Sequence, residues 1–176
     1  MKPIILLLIL LTGVFVADAA DPRPAVEKLF ALYPTIPDDP FHRQFATRRF
    51  EYENALTDKP RIVKGFFNEK PVLTFAHIAR VDLEGREIQT APITGLRFVL
   101  NDSGVRLLRD YLRQPNPKEM VVFIDGYAYA TVSIEVAREI TERRVLWIIP
   151  PRPQEQITER FLTLLAEKLQ SKVTNQ

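Results

Sequence analysis

The sequence predicts an α+β fold, a two-layer sandwich in which helices pack on one face of a ferredoxin-like antiparallel sheet. Three observations support this class. In the segment 95–100, Leu96, Phe98 and Leu100 recur at every second position, as on the buried face of a strand. A continuous apolar run ends at Asp125-Gly126, the strongest hairpin signal in the chain. Apolar stripes at helical spacing occupy 105–112 and 157–169, and helices segregated from hairpins are typical of two layers.

The start of the chain has the pattern of a cleavable signal peptide, predicted to comprise residues 1–19. Lys2 supplies the positive charge, 4–16 is an unbroken apolar stretch, and Ala17-Asp18-Ala19 is a cleavage pattern. A membrane-crossing helix needs roughly 20 apolar residues, and this run ends earlier. We therefore expect a mature chain without a membrane span, in the periplasm or on the extracellular side of the cytoplasmic membrane.

Composition excludes several classes of protein. The chain has no cysteine, which excludes disulfides, a lipidated cysteine anchor and thiol catalysis. Its 24 Lys plus Arg and 22 Asp plus Glu are interspersed, which is typical of a solvated surface and argues against nucleic-acid binding. His42 and His77 are too few for a metal site, and the glycines build no phosphate-binding loop. We therefore expect no metal, no cofactor and no nucleic-acid partner.

The mature chain is predicted to have an extension at 20–67, a main domain at 72–170 and a tail at 171–176. The turn-forming residues Asn, Glu, Lys and Pro at 68–71 mark the boundary between the first two parts.

Within the extension, a short helix and a hairpin are predicted. Four apolar residues between 26 and 33 recur at i, i+3, i+4 and i+7, so we expect a helix that Pro34 ends. Residues 35–40 have a linker composition. Aromatic and acidic side chains alternate at 50–53, and the apolar segment 61–67 is the predicted partner strand.

The first half of the main domain is predicted to contain two extended segments. Thr74 caps a helical turn that contains Ile78, and 79–82 follows as an extended segment. A turn is predicted at 84–86, where glycine lies between two charged residues. The segment 95–100 is a strong strand with alternate apolar side chains on one face.

A helix and the hairpin come next. Polar side chains at 101–104 are predicted to cap the helix at 105–112, a role that also accounts for the glycosylation-like sequence Asn101-Asp102-Ser103. The hairpin joins 120–124 to 127–132. Residues 133–141 fit a strand or a helix, and the pattern leaves both open.

The chain then returns to a strand and a final helix. The apolar segment 144–149 is a predicted strand, and its Trp147 is predicted to lie in the core rather than to form a ligand-stacking platform. The predicted closing helix is amphipathic, with a stripe formed by Ile157, Phe161, Leu164, Leu165 and Leu169.

The order of these elements over 70–170 resembles the first periplasmic head domain of SecD, a membrane protein that assists export through the Sec translocon. The similar pieces are the entry at 71–78, the strand and helix start at 96–104, the hairpin at 121–127 and the closing helix. The stretch 48–67 is weakly similar to the base region that precedes that head. The resemblance implies a ferredoxin-like head that handles exported chains.

The chain also departs from that family. A Ser-Ala-Pro-like segment and glycines usually follow the family's hairpin, whereas Thr-Val-Ser-Ile stands here at 131–134 and Glu-Arg-Arg at 142–144. The family's several membrane-spanning helices have no counterpart here, so we expect a freestanding head-like domain without the full SecD function.

Candidate catalytic side chains are sparse. No serine lies in a nucleophile elbow, and the serines considered are Ser103, Ser133 and Ser171. Paired carboxylates could act as acid and base, and the candidates are Glu51, Glu53, Glu135, Glu139 and Glu142. Strand alternation favours a solvated face for the first two of these. The sequence therefore predicts no catalytic, metal or cofactor residues, and it leaves the binding residues unassigned.

The leading hypothesis is a non-catalytic exported protein that contacts polypeptide or an envelope partner and is linked to protein export through the translocon. The expected binding surface is a sheet edge or the groove beside the strand at 96–100. One alternative is a small periplasmic hydrolase with acidic residues, for which Glu51, Glu53 and His77 are the candidates. Another is a ligand-binding or structural envelope protein, because this kind of sandwich supports many functions.

Overall fold

A computed structural model describes residues 29–37, 48–54, 61–88, 91–149 and 158–175. The predicted signal peptide and the linker residues 38–40 lie outside the described residues. A turn is also predicted at 54–60; its first residue ends β2, and 55–60 lie outside the described residues. In chain order the elements are β1 (Phe30–Ile36), β2 (Arg48–Asn54), β3 (Arg61–Phe67), β4 (Leu73–Thr74), a 3-10 turn (Phe75–His77), β5 (Ile78–Ile88), β6 (Ala91–Leu100), α1 (Asp102–Leu112), β7 (Met120–Ile124), β8 (Tyr127–Val132), α2 (Ile134–Arg143), β9 (Val145–Ile148) and α3 (Thr158–Thr174).

The α+β class is confirmed, with antiparallel sheets and three helices among the described residues. The strands are divided between two sheets. The larger sheet has the order β2-β3-β1-β7-β8, with β4 also pairing to β1, and the smaller sheet has the order β5-β6-β9. Every pairing is antiparallel.

The predicted helix at 26–33 is wrong where the structure describes it, because Phe30–Ile36 is the central strand β1. Residues 30–33 are at most 1% exposed. A strand that is buried on both faces has a continuous apolar run, and such a run cannot be distinguished from a helix by periodicity. Pro34 does not end the element, and Thr35 and Ile36 continue it into pairs with β3.

Two hydrophobic clusters lie on opposite faces of β1 and β7. The main core takes Phe30, Leu32 and alternate residues of β7, and side chains from β5, β6, β9 and all three helices pack against them. The second is an aromatic cluster, enclosed by the β2–β3 hairpin, which contains Ala31, Tyr33, Phe50, Tyr52, Phe67, Val121 and Phe123. Each strand of the β1–β7 pair therefore stabilises both clusters.

Both predicted hairpins are confirmed. β2 and β3 pair without a shift, and their alternation buries Phe50 and Tyr52 while Glu51 faces solvent. In the second hairpin β7 pairs with β8 around Asp125 and Gly126, whose φ angles are 51° and 88°. Two successive positive φ values are typical of the turn that fits the right-handed twist of hairpin strands.

The predicted turn at 84–86 is wrong, because β5 continues through it to Ile88. Ten residue pairs join β5 to β6, among them Glu84 with Gly95 and Arg86 with Ile93. Pairing with a neighbouring strand overrides the local preference of a glycine between charged residues.

Two of the three helices among the described residues, α1 and α3, are in the predicted places. Asn101 caps α1, because its side-chain oxygen accepts a hydrogen bond from Gly104 N–H at 2.9 Å. The ambiguous segment 133–141 is helical in α2, which Ser133 caps. In α3, Leu164 is 57% exposed, so its predicted place on the buried stripe is wrong. Among the side chains of α3 that the structure describes, the buried ones are Leu162, Leu165, Ala166 and Leu169.

We expect Gly126→Val to lower the free energy of unfolding by about 1–3 kcal/mol, because a β-branched residue is strained at a φ of 88°. Gly126→Asn is the matched control, and it should lose clearly less because Asn tolerates positive φ. Urea denaturation of the three proteins measures the difference. Equal losses for Val and Asn would contradict this account of the turn.

Candidate functional site

Strand β5 forms one edge of the smaller sheet, because β6 is its only strand partner among the described residues. The Val81 N–H points away from β6 and donates a hydrogen bond to Oε1 of Gln170 in α3 at 2.8 Å. No register shift interrupts the pairing from residue 81 to Ile88. Since an antiparallel strand turns alternate residues outward, the main-chain groups of Leu83, Gly85 and Glu87 also point away from β6.

These outward groups form what we call the open edge, residues 83–87. No described residue outside β5 hydrogen-bonds to the outward main chain of Leu83, Gly85 or Glu87. At Gly85 no described atom lies within 4 Å of the place where a Cβ would be, so the face of the sheet is uncrowded at this residue. The outward N–H and C=O groups of the open edge are the groups with which another strand would pair.

The edge of the larger sheet at β8 is different. The Tyr52 hydroxyl, which β2 carries, accepts a hydrogen bond from Thr131 N–H at 3.1 Å and lies 3.0 Å from the Thr131 hydroxyl. β2 thereby returns to contact β8 and covers part of its edge. The smaller sheet has two end strands, β5 and β9, and the open edge of β5 is longer than the four-residue β9.

Charged side chains cover the solvent face of the smaller sheet, beginning with Arg97 on the middle strand. Its Nη1 lies 2.9 Å from Oδ2 of Asp82, and its Nε lies 3.0 Å from Oε2 of Glu84. Both carboxylates belong to β5 and lie on the solvent face of the sheet. The Arg97 guanidinium therefore ties two side chains of the edge strand to the neighbouring strand β6.

Two further arginines on β5 extend this network. Arg80 pairs with Asp82 and Arg86 pairs with Glu84, each at 2.8 Å. Together with Arg143 they line a shallow depression of about 710 Å³, in which four arginines face two carboxylates. The surface beside the open edge therefore carries a positive excess.

Trp147 lies on this charged face, so the prediction that it lies in the core is wrong. Strand alternation in β9 sends Leu146 and Ile148 to the core and leaves Trp147 half-buried. Its ring lies 4.7 Å from the Arg86 guanidinium, and its Nε1 donates to the Glu84 carbonyl at 3.1 Å. Gly95 provides the space, because a Cβ there would lie 2.8 Å from the ring.

A second concave surface lies between α1 and the end of β1. Its volume is about 310 Å³, and its apolar lining includes Pro34, Pro71, Leu107 and Tyr111. The Tyr111 hydroxyl donates to the Lys118 carbonyl and accepts from Lys118 N–H, each at 2.8 Å, which fixes the ring. Leu107 is 42% exposed. This groove presents apolar side chains, and nothing in its described lining selects an occupant.

The structure does not bring the candidate catalytic carboxylates together. Glu51 lies on β2 in an exposed ion pair with Lys64 at 3.0 Å, whereas Glu135, Glu139 and Glu142 lie on α2. The side chain of Glu53 lies outside the described residues. Glu135 accepts hydrogen bonds from its own backbone N–H and from Ser133, and these bonds lower the pKa of Glu135. This favours a role for its carboxylate in capping α2. No group of three or more potential metal ligands occurs in the described part of the chain.

The serines make local hydrogen bonds. Ser103 donates to the Asn101 side chain at 2.7 Å, Ser133 accepts from Val136 N–H, and Ser171 donates to the Lys168 carbonyl at 2.8 Å. Each is therefore engaged at a helix start or within α3. His42 lies outside the described residues.

His77 acts as part of a cap. It ends the 3-10 turn, and its Nδ1 accepts a hydrogen bond from Thr74 N–H at 2.9 Å. Burial of the ring lowers the pKa of His77 below its ordinary value of 6.5. Both features favour the neutral imidazole, because a protonated Nδ1 cannot accept this bond.

Sequence reasoning missed the open edge because it placed a turn at 84–86. One signal was present: charged residues occupy 80, 82, 84 and 86, the period of a strand with one solvated face.

Among the described residues, no helix is long and apolar enough to cross a membrane.

We expect the neutral His77 ring to make stability depend on pH. Because its folded-state pKa lies below 6.5, its contribution is present above pH 6.5 and is lost as the pH falls below that value. His77→Gln keeps an acceptor side chain at this capping position and should remove this part of the dependence. The urea midpoints of wild type and of His77→Gln, each measured at about pH 7.5 and about pH 5, give the pH dependence of stability. Equal pH dependence in the two proteins would show that His77 does not contribute.

Comparison with known proteins finds no relative: the chain matches no family model, no curated protein and no solved structure. Function is therefore inferred from the geometry of the described residues.

Proposed function

We propose that this protein is a non-catalytic exported protein that binds extended polypeptide at the open edge of β5. The observation that carries the proposal is the outward main chain of Leu83, Gly85 and Glu87, to which no described residue outside β5 hydrogen-bonds. An extended peptide added to a sheet edge pairs its own main chain with such groups.

The spacing of the open edge favours a polypeptide over a small ligand. Outward residues recur at every second position, roughly 6.7 Å apart along a strand. Each presents one N–H donor and one C=O acceptor, a repeat that another extended main chain matches. Recognition of this kind depends little on side chains, which suits a protein that meets many exported sequences.

The charged face supports the same proposal by holding the edge strand in place. Arg97 ties Asp82 and Glu84 of β5 to β6, and Gln170 of α3 fixes the main chain at Val81. A strand that is already ordered loses little conformational entropy when a peptide pairs with it. The open edge is therefore pre-organised for binding.

The export pattern at 1–19 and the resemblance of 70–170 to the SecD head both support a role outside the cytoplasm, in contact with exported chains. The hydrolase alternative has less support, because Glu51, His77 and the α2 carboxylates belong to separate elements with local structural partners. For a ligand-binding envelope protein, the groove lined by Leu107 and Tyr111 is the surface to test.

We expect Gly85→Pro to weaken polypeptide binding at least tenfold, about 1.4 kcal/mol, because proline lacks the outward N–H. Proline is tolerated on an edge strand where the N–H faces solvent, so the fold should persist. Gly85→Ala keeps the N–H and is the matched control, expected to bind like the wild type. The probe is reduced, carboxymethylated lactalbumin, a chain that cannot refold, with affinity measured by fluorescence anisotropy. Equal affinity for the proline and alanine variants would contradict binding at this edge.

We expect the mature protein to begin at Ala20 and to be recovered outside the cytoplasmic membrane, because a small-x-small cleavage pattern follows the apolar run. N-terminal sequencing of the protein from an extracytoplasmic fraction measures this. Recovery of an intact chain from Met1 in the membrane fraction would overturn the export proposal.

A further inference from the structure

We infer that a second copy of this chain pairs with the open edge, β5 against β5, antiparallel about a two-fold axis at Gly85. The inference rests on the proposed function in using the same edge, and it adds a regulation: self-pairing and polypeptide binding exclude each other.

The open edge is symmetric about Gly85. On one side the outward main chain is covered from Val81, where Gln170 of α3 accepts its hydrogen bond, and on the other side β5 ends at Ile88. Gly85 lies midway along the uncovered part. With a two-fold axis at this position, residues 83–87 of one copy lie against residues 83–87 of the other. The pairing then stops before Val81, which α3 covers.

The outward groups then match in pairs. Gly85 lies opposite Gly85 of the second copy, and Leu83 lies opposite Glu87, so all three outward residues of each copy find partners. Opposed residues that both point outward exchange two hydrogen bonds, which gives about six across the interface. No described atom lies within 4 Å of the place where a Cβ of Gly85 would be, so the face of the sheet is uncrowded at the two-fold axis.

Charge selects this register. Glu84 lies opposite Arg86 of the second copy and Arg86 lies opposite Glu84, so two opposite-charge pairs flank the axis. The neighbouring register in one direction places Glu84 opposite Glu84, and in the other direction it places Arg86 opposite Arg86. Like charges directly opposite each other destabilise a sheet. The first neighbouring register also places Glu87 opposite Val81, whose N–H Gln170 already covers, and the second places Leu83 beyond the end of β5 at Ile88. The arrangement centred on Gly85 is therefore favoured over both.

Self-complementarity favours a second copy over an unrelated protein as the resident partner. An unpaired edge invites association, and charged side chains on it discourage strands that lack the matching charges. The β5 strand meets that requirement itself. The two smaller sheets join into one six-stranded sheet, in which the open edge is occupied until a polypeptide displaces the second copy.

The test is a charge-reversal cycle measured by sedimentation velocity. Wild type should show a concentration-dependent dimer. Glu84→Arg and Arg86→Glu each place like charges opposite each other, so each alone should weaken dimerisation at least tenfold. Mixing the two variants restores both opposite-charge pairs, and a heterodimer should form. The double variant should dimerise again with itself.

Glu51→Arg reverses an exposed charge on β2 and is the control, expected to dimerise like wild type. Thermal melts followed by circular dichroism show whether each variant is folded. Unfolded lactalbumin added to wild type should convert the dimer to monomer, because the polypeptide and the second copy compete for the same edge.

Several outcomes would overturn the inference. These are a wild type that stays monomeric at all concentrations, folded single reversals that dimerise like wild type, or a mixture that forms no heterodimer. If these occur while Gly85→Pro still loses polypeptide, the self-pairing fails and the proposed function stands. If mixing rescues the dimer while no variant binds polypeptide, the proposed function fails and the self-pairing stands.

Discussion

The pairing of β1 with β7 is the interaction on which the rest of the fold depends. Five consecutive residue pairs join these strands at the centre of the larger sheet. Along β1, Phe30 and Leu32 enter the main core whereas Ala31 and Tyr33 enter the aromatic cluster, so one ladder stabilises both. The main core in turn fixes the smaller sheet, because the Phe30 ring lies 4.7 Å from that of Phe98 on β6. The position of the β5 edge thus depends on a strand that lies far from it in sequence.

Elements with local signals were predicted well, and elements defined by their neighbours were not. The hairpin at Asp125-Gly126 depends on backbone angles that two adjacent residues specify. By contrast, β1 lacks the alternation of a strand because a hydrophobic cluster covers each of its two faces. The extension of β5 through Gly85 also depends on pairing with β6. Edge position follows from strand order, which a single sequence does not specify.

At the candidate site, ion pairs and main-chain exposure act together. Asp82 and Glu84 hold β5 flat against β6 through Arg97, and Arg86 packs on Trp147, so the side chains of the charged face stabilise the strand. The outward main chain beside them has no such partner among the described residues. An ordered strand with an unpaired edge is what polypeptide capture and self-pairing both require. Gly85 serves both because it adds no bulk at the centre of that edge.

Amide hydrogen exchange, measured residue by residue by NMR, tests the central claim most directly. In dilute protein the amides of Leu83, Gly85 and Glu87 should exchange rapidly, whereas Glu84 and Arg86, which face β6, should be protected. Addition of unfolded polypeptide should slow the three outward amides and leave the others unchanged. If the outward amides are already protected in dilute protein, or stay unprotected when polypeptide is bound, β5 has no open edge that accepts a chain.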